Sequence, residues 1–555
     1  MRRLYLPGIA LLLCMSGLSS SLLAEDHFLT IGGGPTADGN QVSLENNVLY
    51  FQRTLSKLGL DQKEHQILFA DGNDPGIDLQ VENPDRGPED LRRMLAEIVG
   101  PSTGIRFDYR SSSIAGISGA AQPEVIEERI KELSNRLTDG DRLILYFTGH
   151  GGRERPAPQR RSSRSGRPTA AIQEDPKEEA SDDSDNKEDS AKEEEASTED
   201  EKKEDDNSRS ERRRPSRPTY VGNHTHLWHH QTMTVPAWAE KLDQLPPDMP
   251  VVVVMVQCYS GGFGNLIFEG GDPKNGLTSL PRCGFFSTVP DRVAAGCTPN
   301  VDQAEYREYS SYFWEALSGT TRTGQIVAMP DYDNDGQTSL LEAHAYTVLT
   351  ADTIDIPTRT SDFFLQQLSS VDRDKKLMTI HTPVELLLAE ADPCEHAVIE
   401  GLSQHFGLSE QDRGKEVDEA IRDKRSDKRK VDGDVRRKQQ TINGKRGEIK
   451  RALQERWPEI VSPWHPKVAQ LIADEPATLE DFITKHKAYR ELTEASEELH
   501  QLQADQEQLE VDIVKLERLK YWLERRALAL NLPLVADEKS VDQFKRLVEL
   551  ESQKL

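Results

Sequence analysis

Apolar residues are scarce in this chain: 35% of its 555 residues are hydrophobic and 6% aromatic, against 30% charged. That scarcity excludes one continuous core over the whole length and leaves part of the chain solvated. The length itself implies two to four units. Positive charge is also short, with 69 Lys and Arg against 96 Asp and Glu, a net charge of −27. Nucleic acid is therefore excluded as the expected partner, because a phosphate backbone needs clustered cations. Beyond the N-terminal stretch, no run approaches the roughly 20 apolar residues a membrane span requires.

What is present begins with an export signal over residues 1–24. Arg2 and Arg3 precede an apolar stretch from Leu4 to about Leu18, then small residues and an end at Ala24. The expected location is outside the cytoplasm: periplasm, cell envelope or secreted. Cys14 follows Leu13, where a lipid-attachment signal wants a small residue, so a lipoprotein is not indicated. Past the signal stand Cys258, Cys283, Cys297 and Cys394. In an oxidising compartment Cys283 and Cys297 are candidates to pair, with two buried free thiols as the alternative.

From residue 27 onward, strands and helices alternate. "HFLTIGGG" (27–34) and "EHQILFADG" (64–72) read as buried strands, with a helical pattern at 46–60 between them. A second unit has a helix from Pro123 to Leu137, an Asp-Gly-Asp break and the strand "RLILYFTG". A further short helix from Pro236 to Leu245 leads into a strand from Val251 to Val256. The fold class is α/β, a sheet of mostly parallel strands flanked by helices. The expected organisation is a catalytic domain over 25–152 and 220–395, interrupted by a charged insertion at 153–219, then a helical module at 400–555. The insertion has almost no apolar residue to offset chain entropy and reads as disordered. Its place just after the first motif also suits a gate or processing loop.

Two strands end in chemistry. "LILYFTGHGG" carries His150 just past one strand, and "VVVVMVQCYSGG" carries Cys258 just past another. Carboxyl ends of strands in open α/β sheets are where sites are built. A thiolate is a nucleophile, and a nearby imidazole can take the thiol's proton. The flanking glycines, Gly149, Gly151, Gly152, Gly261 and Gly262, let backbone N–H groups approach a substrate oxygen.

The pair "YFTGHGG" and "VQCYSGG", with "RVAAGCTPNVDQAEYREYSSYFWEALSG" at 292–319, resembles the caspase-haemoglobinase superfamily of cysteine peptidases, bacterial caspase-like and legumain-like members included. The resemblance covers roughly residues 27–350. It implies a caspase-like sheet and an endopeptidase in which His150 is the general base or acid and Cys258 forms a thioester acyl-enzyme. The backbone N–H groups of Gly151 and Cys258 would hold the oxyanion. Where metacaspases and legumain carry an acidic residue two positions before the nucleophile, this chain has Val256. Gln257, Asp302 and Glu305 are the candidates to line a substrate pocket for a basic or amide side chain.

"DYDNDGQTSLLE" (331–342) matches the calcium loop of an EF-hand at each ligand position. The expected shell is Asp331, Asp333, Asp335, the carbonyl of Gln337, Ser339 and Glu342, holding a structural Ca2+. An Asp-rich turn capping a helix is the alternative. His224, His226, His229 and His230 cluster without acidic or thiol partners at zinc spacing, and read as a loop re-entering the fold beside the site.

Past residue 400 the chain turns charged and helical. Leu502, Leu509, Leu516 and Leu523 hold one heptad seam, with Leu492, Leu499 and Ile513 on the other, interrupted by Gln506 and Lys520. Residues 485–525 are thus expected to pair, either with another chain or partner protein, or within this chain as a hairpin on "RGEIKRALQERW", the hairpin being favoured. The functional expectation is an exported cysteine endopeptidase acting on peptides or proteins. The other readings are a transpeptidase using the same thiol and a catalytically idle scaffold acting through its helices.

Overall fold

The computed structural model describes residues 25–82, 90–100, 107–138, 140–154, 219–371 and 376–555. The expected export signal and nearly all of the charged insertion lie outside these residues. In chain order the first half has β1 (Asp26–Gly33), α1 (Val42–Lys57), β2 (His65–Phe69), β3 (Leu79–Glu82), α2 (Asp90–Val99), β4 (Phe107–Arg110) and β5 (Ile117–Gly119). Then follow α3 (Pro123–Arg136), β6 (Arg142–Gly149) and β7 (Gly151–Gly152). Past the insertion come β8 (His224–Leu227), β9 (Gln231–Thr234), α4 (Val235–Leu242), β10 (Val251–Met255), β11 (Arg282–Phe286), α5 (Tyr309–Ser318), α6 (Leu340–Thr350), β12 (Thr358–Arg359) and α7 (Thr360–Leu368).

Seven strands form one sheet in the order β12-β11-β10-β6-β1-β2-β5. Every pair in it is parallel except β11 with β12. Its central strands are continuous apolar runs, as burial on both faces demands. One face packs Phe28, Tyr146, Val254 and Phe285 against Phe51 of α1 and Trp314 of α5. The other packs Leu29, Leu145, Val253 and Met255 against Ile130 of α3 and Trp238 of α4. After β1 the chain builds outward through β2, then returns to place β6 on β1's other side. Strand order reverses there, and the carboxyl ends of strands at such a reversal are where open α/β sheets commonly hold their sites.

The C-terminal region is helical: α8 (Val384–Leu388), α9 (Pro393–His405), α10 (Arg413–Arg456), α11 (Pro466–Asp474), α12 (Pro476–Thr484), α13 (Lys487–Val535) and α14 (Glu538–Glu551). Asp418 meets Lys520, Lys424 meets Asp512, Lys438 meets Glu498 and Lys445 meets Glu491. Rising numbers on α10 matched by falling numbers on α13 define an antiparallel hairpin within one chain. Leu492, Leu499, Ile513, Leu516 and Leu523 are buried. The two polar interruptions are answered across the seam, Gln506 Nε2 donating to Asp432 at 2.6 Å and Lys520 Nζ to Asp418 at 2.6 Å.

The helical region packs on the α/β part at both ends of the hairpin, against the sheet's core at the base and against α2 at the tip. At its base Leu516, Leu519 and Leu523 join Leu341, Val348 and Leu402, while Leu528, Leu532 and Leu547 enter a core of the sheet itself. At its tip Leu492 and Leu499 join Ile449 and Leu453 around Leu95, Ile98 and Val99 of α2. The Glu551 carboxylate, fully buried, accepts from the Thr360 hydroxyl (2.7 Å), the Ser361 N–H (2.8 Å) and the Ser361 hydroxyl (2.7 Å) beside the guanidinium of Arg359. Among the described residues, no helix is long and apolar enough to cross a membrane.

Candidate active site

Register brings the two motifs level. Phe147 of β6 pairs with Met255 of β10, and His150 and Cys258 each stand three positions further on. The Val256 N–H donates to the Phe147 carbonyl at 3.1 Å, carrying the pairing past the end of β10. A Cβ on Gly151 would lie 2.2 Å from the Cys258 carbonyl oxygen and 2.5 Å from Cγ of Gln257, so only glycine allows this approach. His150, Gly151 and Cys258 therefore share one corner at the carboxyl edge of the sheet. That corner adjoins the reversal of strand order, since Gly149 pairs with Gly33 of β1.

The half-buried imidazole of His150 is held from one side. Its Nε2 lies 2.8 Å from the Gly39 carbonyl and 2.9 Å from Oε1 of Gln41. Both are acceptors, so Nε2 carries the proton and the neutral ring keeps Nδ1 as an acceptor. Burial pulls the imidazole pKa below its ordinary value, with the Gly39 hydrogen bond opposing weakly. Burial thus favours the neutral form of the ring.

Cys258 is half-buried, and its sulfur accepts from the Ala294 N–H at 3.3 Å. Burial pushes the thiol pKa up, the Ala294 N–H opposes this, and Asp355 adds to it. Among the described residues no hydrogen bond joins sulfur to imidazole; such contacts are often long before substrate binds. Tyr259 follows in the left-handed conformation (φ 60°), and its N–H donates to the Arg292 carbonyl at 2.8 Å.

Beside this corner lies a cavity of about 330 Å³ lined by Gly296, Thr298, Glu305, Tyr306, Glu308 and Glu507, among others. Gly296, at φ +121°, leaves the space into which Oε2 of Glu308 projects. The other oxygen, Oε1, takes Arg322 at 2.6 Å, yet burial still raises the Glu308 pKa. Of the pocket residues expected from sequence, only Glu305 lines the cavity. Asp302 is exposed and caps the following turn by accepting from Ala304 N–H at 3.0 Å. Gln257 is buried, its Oε1 without a partner. Glu308 and Glu507 carried no sequence signal toward this cavity, the latter because it arrives on α13.

All four described cysteines are free. Cys283 and Cys297 do not pair: Cys283 sits on β11 inside a core, while the sulfur of Cys297 approaches the Gly149 carbonyl at 3.8 Å. β8 returns beside the site, with the His226 N–H donating to the His150 carbonyl at 2.9 Å. The rings of His224 and His226 meet edge to face with centroids 5.0 Å apart, and among the described residues neither belongs to a cluster of three metal-ligating groups.

The acidic loop brings the carboxylates of Asp331, Asp333 and Asp335 within 4.8 Å of one another, all exposed, and the Gly336 N–H donates to Asp331 at 3.1 Å. Ser339 and Glu342 are engaged otherwise. They form a reciprocal cap on α6, with Glu342 also accepting from the Tyr332 N–H at 2.6 Å. Lys554 reaches Asp335 at 2.6 Å.

A scan against protein-family models and a search among curated proteins each found no match to this chain.

Proposed function

We propose that the chain is an exported cysteine endopeptidase with a caspase-like catalytic domain. The observation that carries this reading is the level placement of His150 and Cys258 at neighbouring strand ends, with Nε2 of His150 occupied so that Nδ1 is left as the base. In the proposed reaction Nδ1 takes the thiol proton and the sulfur attacks the substrate carbonyl carbon. Charge on the carbonyl oxygen is met by the N–H groups of Gly151 and Cys258. The imidazolium then gives its proton to the departing amine as the C–N bond breaks. Water hydrolyses the resulting thioester and restores the thiol. The cavity beside the site has Glu305, Glu308 and Glu507 on its wall against Arg307, with Glu308 also paired to Arg322, and this acidic excess is the basis for proposing a cationic substrate side chain. Ca2+ is proposed as a structural ion held by Asp331, Asp333, Asp335 and the Gln337 carbonyl, apart from bond breaking.

The test is mass spectrometry of a diverse peptide mixture incubated with the parent protein, with Cys258→Ala and with His150→Ala, calcium supplied. Expected outcomes are cleavage after Lys or Arg by the parent, none by Cys258→Ala, and a loss of about 10²–10⁴-fold for His150→Ala. A folded parent that cuts nothing moves the reading to a scaffold acting through its helices.

A further inference from the structure

We propose that α13 belongs to the catalytic apparatus, with Glu517 and Arg518 as positioning residues that hold the 292–297 segment against the nucleophile. The proposal rests on Cys258 being the nucleophile.

The segment is tied inward at two points. The Arg292 carbonyl receives the Tyr259 N–H, and the Ala294 N–H reaches the Cys258 sulfur. It lies outside the regular strands and helices, and Val293 at its centre is 46% exposed, so apolar packing does not fix that residue. Its outward ties are polar, and they lead to α13. The Arg292 guanidinium meets Oε2 of Glu517 at 2.9 Å, and the other Glu517 oxygen meets Arg425 of α10 at 2.6 Å. The Ala295 N–H donates to Oδ1 of the fully buried Asp355 at 2.7 Å.

Asp355 is held in turn by Arg518. This guanidinium is completely buried and donates to the Asp355 carbonyl at 2.7 Å, Val348 at 3.0 Å, Ala351 at 2.7 Å and both the carbonyl and hydroxyl of Thr353 at 3.0 and 2.8 Å. Burying a cation is costly unless every donor is met, and here the donors are spent on one connecting loop. Lys515 adds an ion pair to Asp352 in that loop at 2.6 Å. Three residues of one helical stretch therefore fix the two loops that set the Ala294 N–H on the sulfur.

An N–H donated to sulfur favours the thiolate. The other titratable groups acting at this sulfur are Asp355 from the 351–357 connection and Cys297 from the segment itself, with Arg518 facing Asp355 from behind. Loosening the segment removes the favourable hydrogen bond and leaves the burial that opposes ionisation.

The experiment follows alkylation of Cys258 by iodoacetamide against pH in the full chain, located by peptide mass spectrometry, alongside kcat and KM. Glu517→Gln and Arg292→Gln are expected to raise the alkylation midpoint by about half a unit or more and to lower kcat with KM nearly unchanged. Arg292→Lys, which keeps the ion pair, is expected to restore both. Midpoints for Glu517→Gln and Arg292→Gln that superimpose on the parent overturn the proposal, provided thermal melting shows each variant folded. Arg518→Met is a stronger variant; should it fail to fold, the Glu517 and Arg292 variants decide. A shifted midpoint in a protein that cleaves no peptide refutes the peptidase reading alone, and normal midpoints in an active peptidase refute the positioning alone.

Discussion

At the scale of single residues, the site is governed by how few groups touch the two reactive atoms. Because burial lowers the His150 pKa, the base loses its function only when acid protonates it below the ordinary imidazole value of 6.5. The expected acid limb of kcat/KM therefore has its midpoint below 6.5, and a measured midpoint at or above it contradicts the assignment. His150 and Cys258 were readable as candidates because a lone His or Cys just after an apolar strand is a visible irregularity. Gly39, Gln41, Ala294 and Asp355 were not, since two act through backbone groups and all come from distant stretches of chain. The suggested pairing of Cys283 with Cys297 rested on closeness in sequence. One sulfur belongs to a strand inside the core and the other to the rim of the site, a separation that spacing does not report.

At the scale of elements, strands and helices were legible to within a few positions because core burial enforces their periods. The helix expected at 46–60 spans Val42–Lys57, and the strand expected at Val251–Val256 ends at Met255. The acidic loop shows where one pattern has two physical meanings. Ser339-Leu340-Leu341-Glu342 fits the end of a calcium loop and equally the Ser-x-x-Glu box that caps a helix. The structure uses these two side chains for the cap, leaving three aspartates clustered. Like charges so close repel, and a divalent cation relieves them. Calcium is expected to raise the melting temperature of the parent and to leave Asp333→Ala unmoved, as read by differential scanning calorimetry with and without chelator. An equal shift in both proteins sinks the site.

At the scale of the whole molecule, the heptad pattern predicted pairing and the fold supplies the partner from the same chain. Gln506 and Lys520, which weaken the pattern as a zipper, find Asp432 and Asp418 on α10, a match invisible until the hairpin register is known. With its seam covered internally, the protein is expected to be a monomer at micromolar concentration by light scattering, and a dimer there would reopen the intermolecular reading. That α13 also touches the loops beside Cys258 had no sequence signature, because Glu517 and Arg518 resemble any charged pair on a solvated helix.

The burial of Glu551 bears on how the protein is made. Its carboxylate balances Arg359 and satisfies Thr360 and Ser361 in the interior, so a chain without α14 leaves Arg359 to Asp362 and leaves the Thr360 and Ser361 donors without this acceptor. Translation runs from the amino end, so Glu551 is made long after Arg359, Thr360 and Ser361, and the interior site they share is completed only when α14 docks.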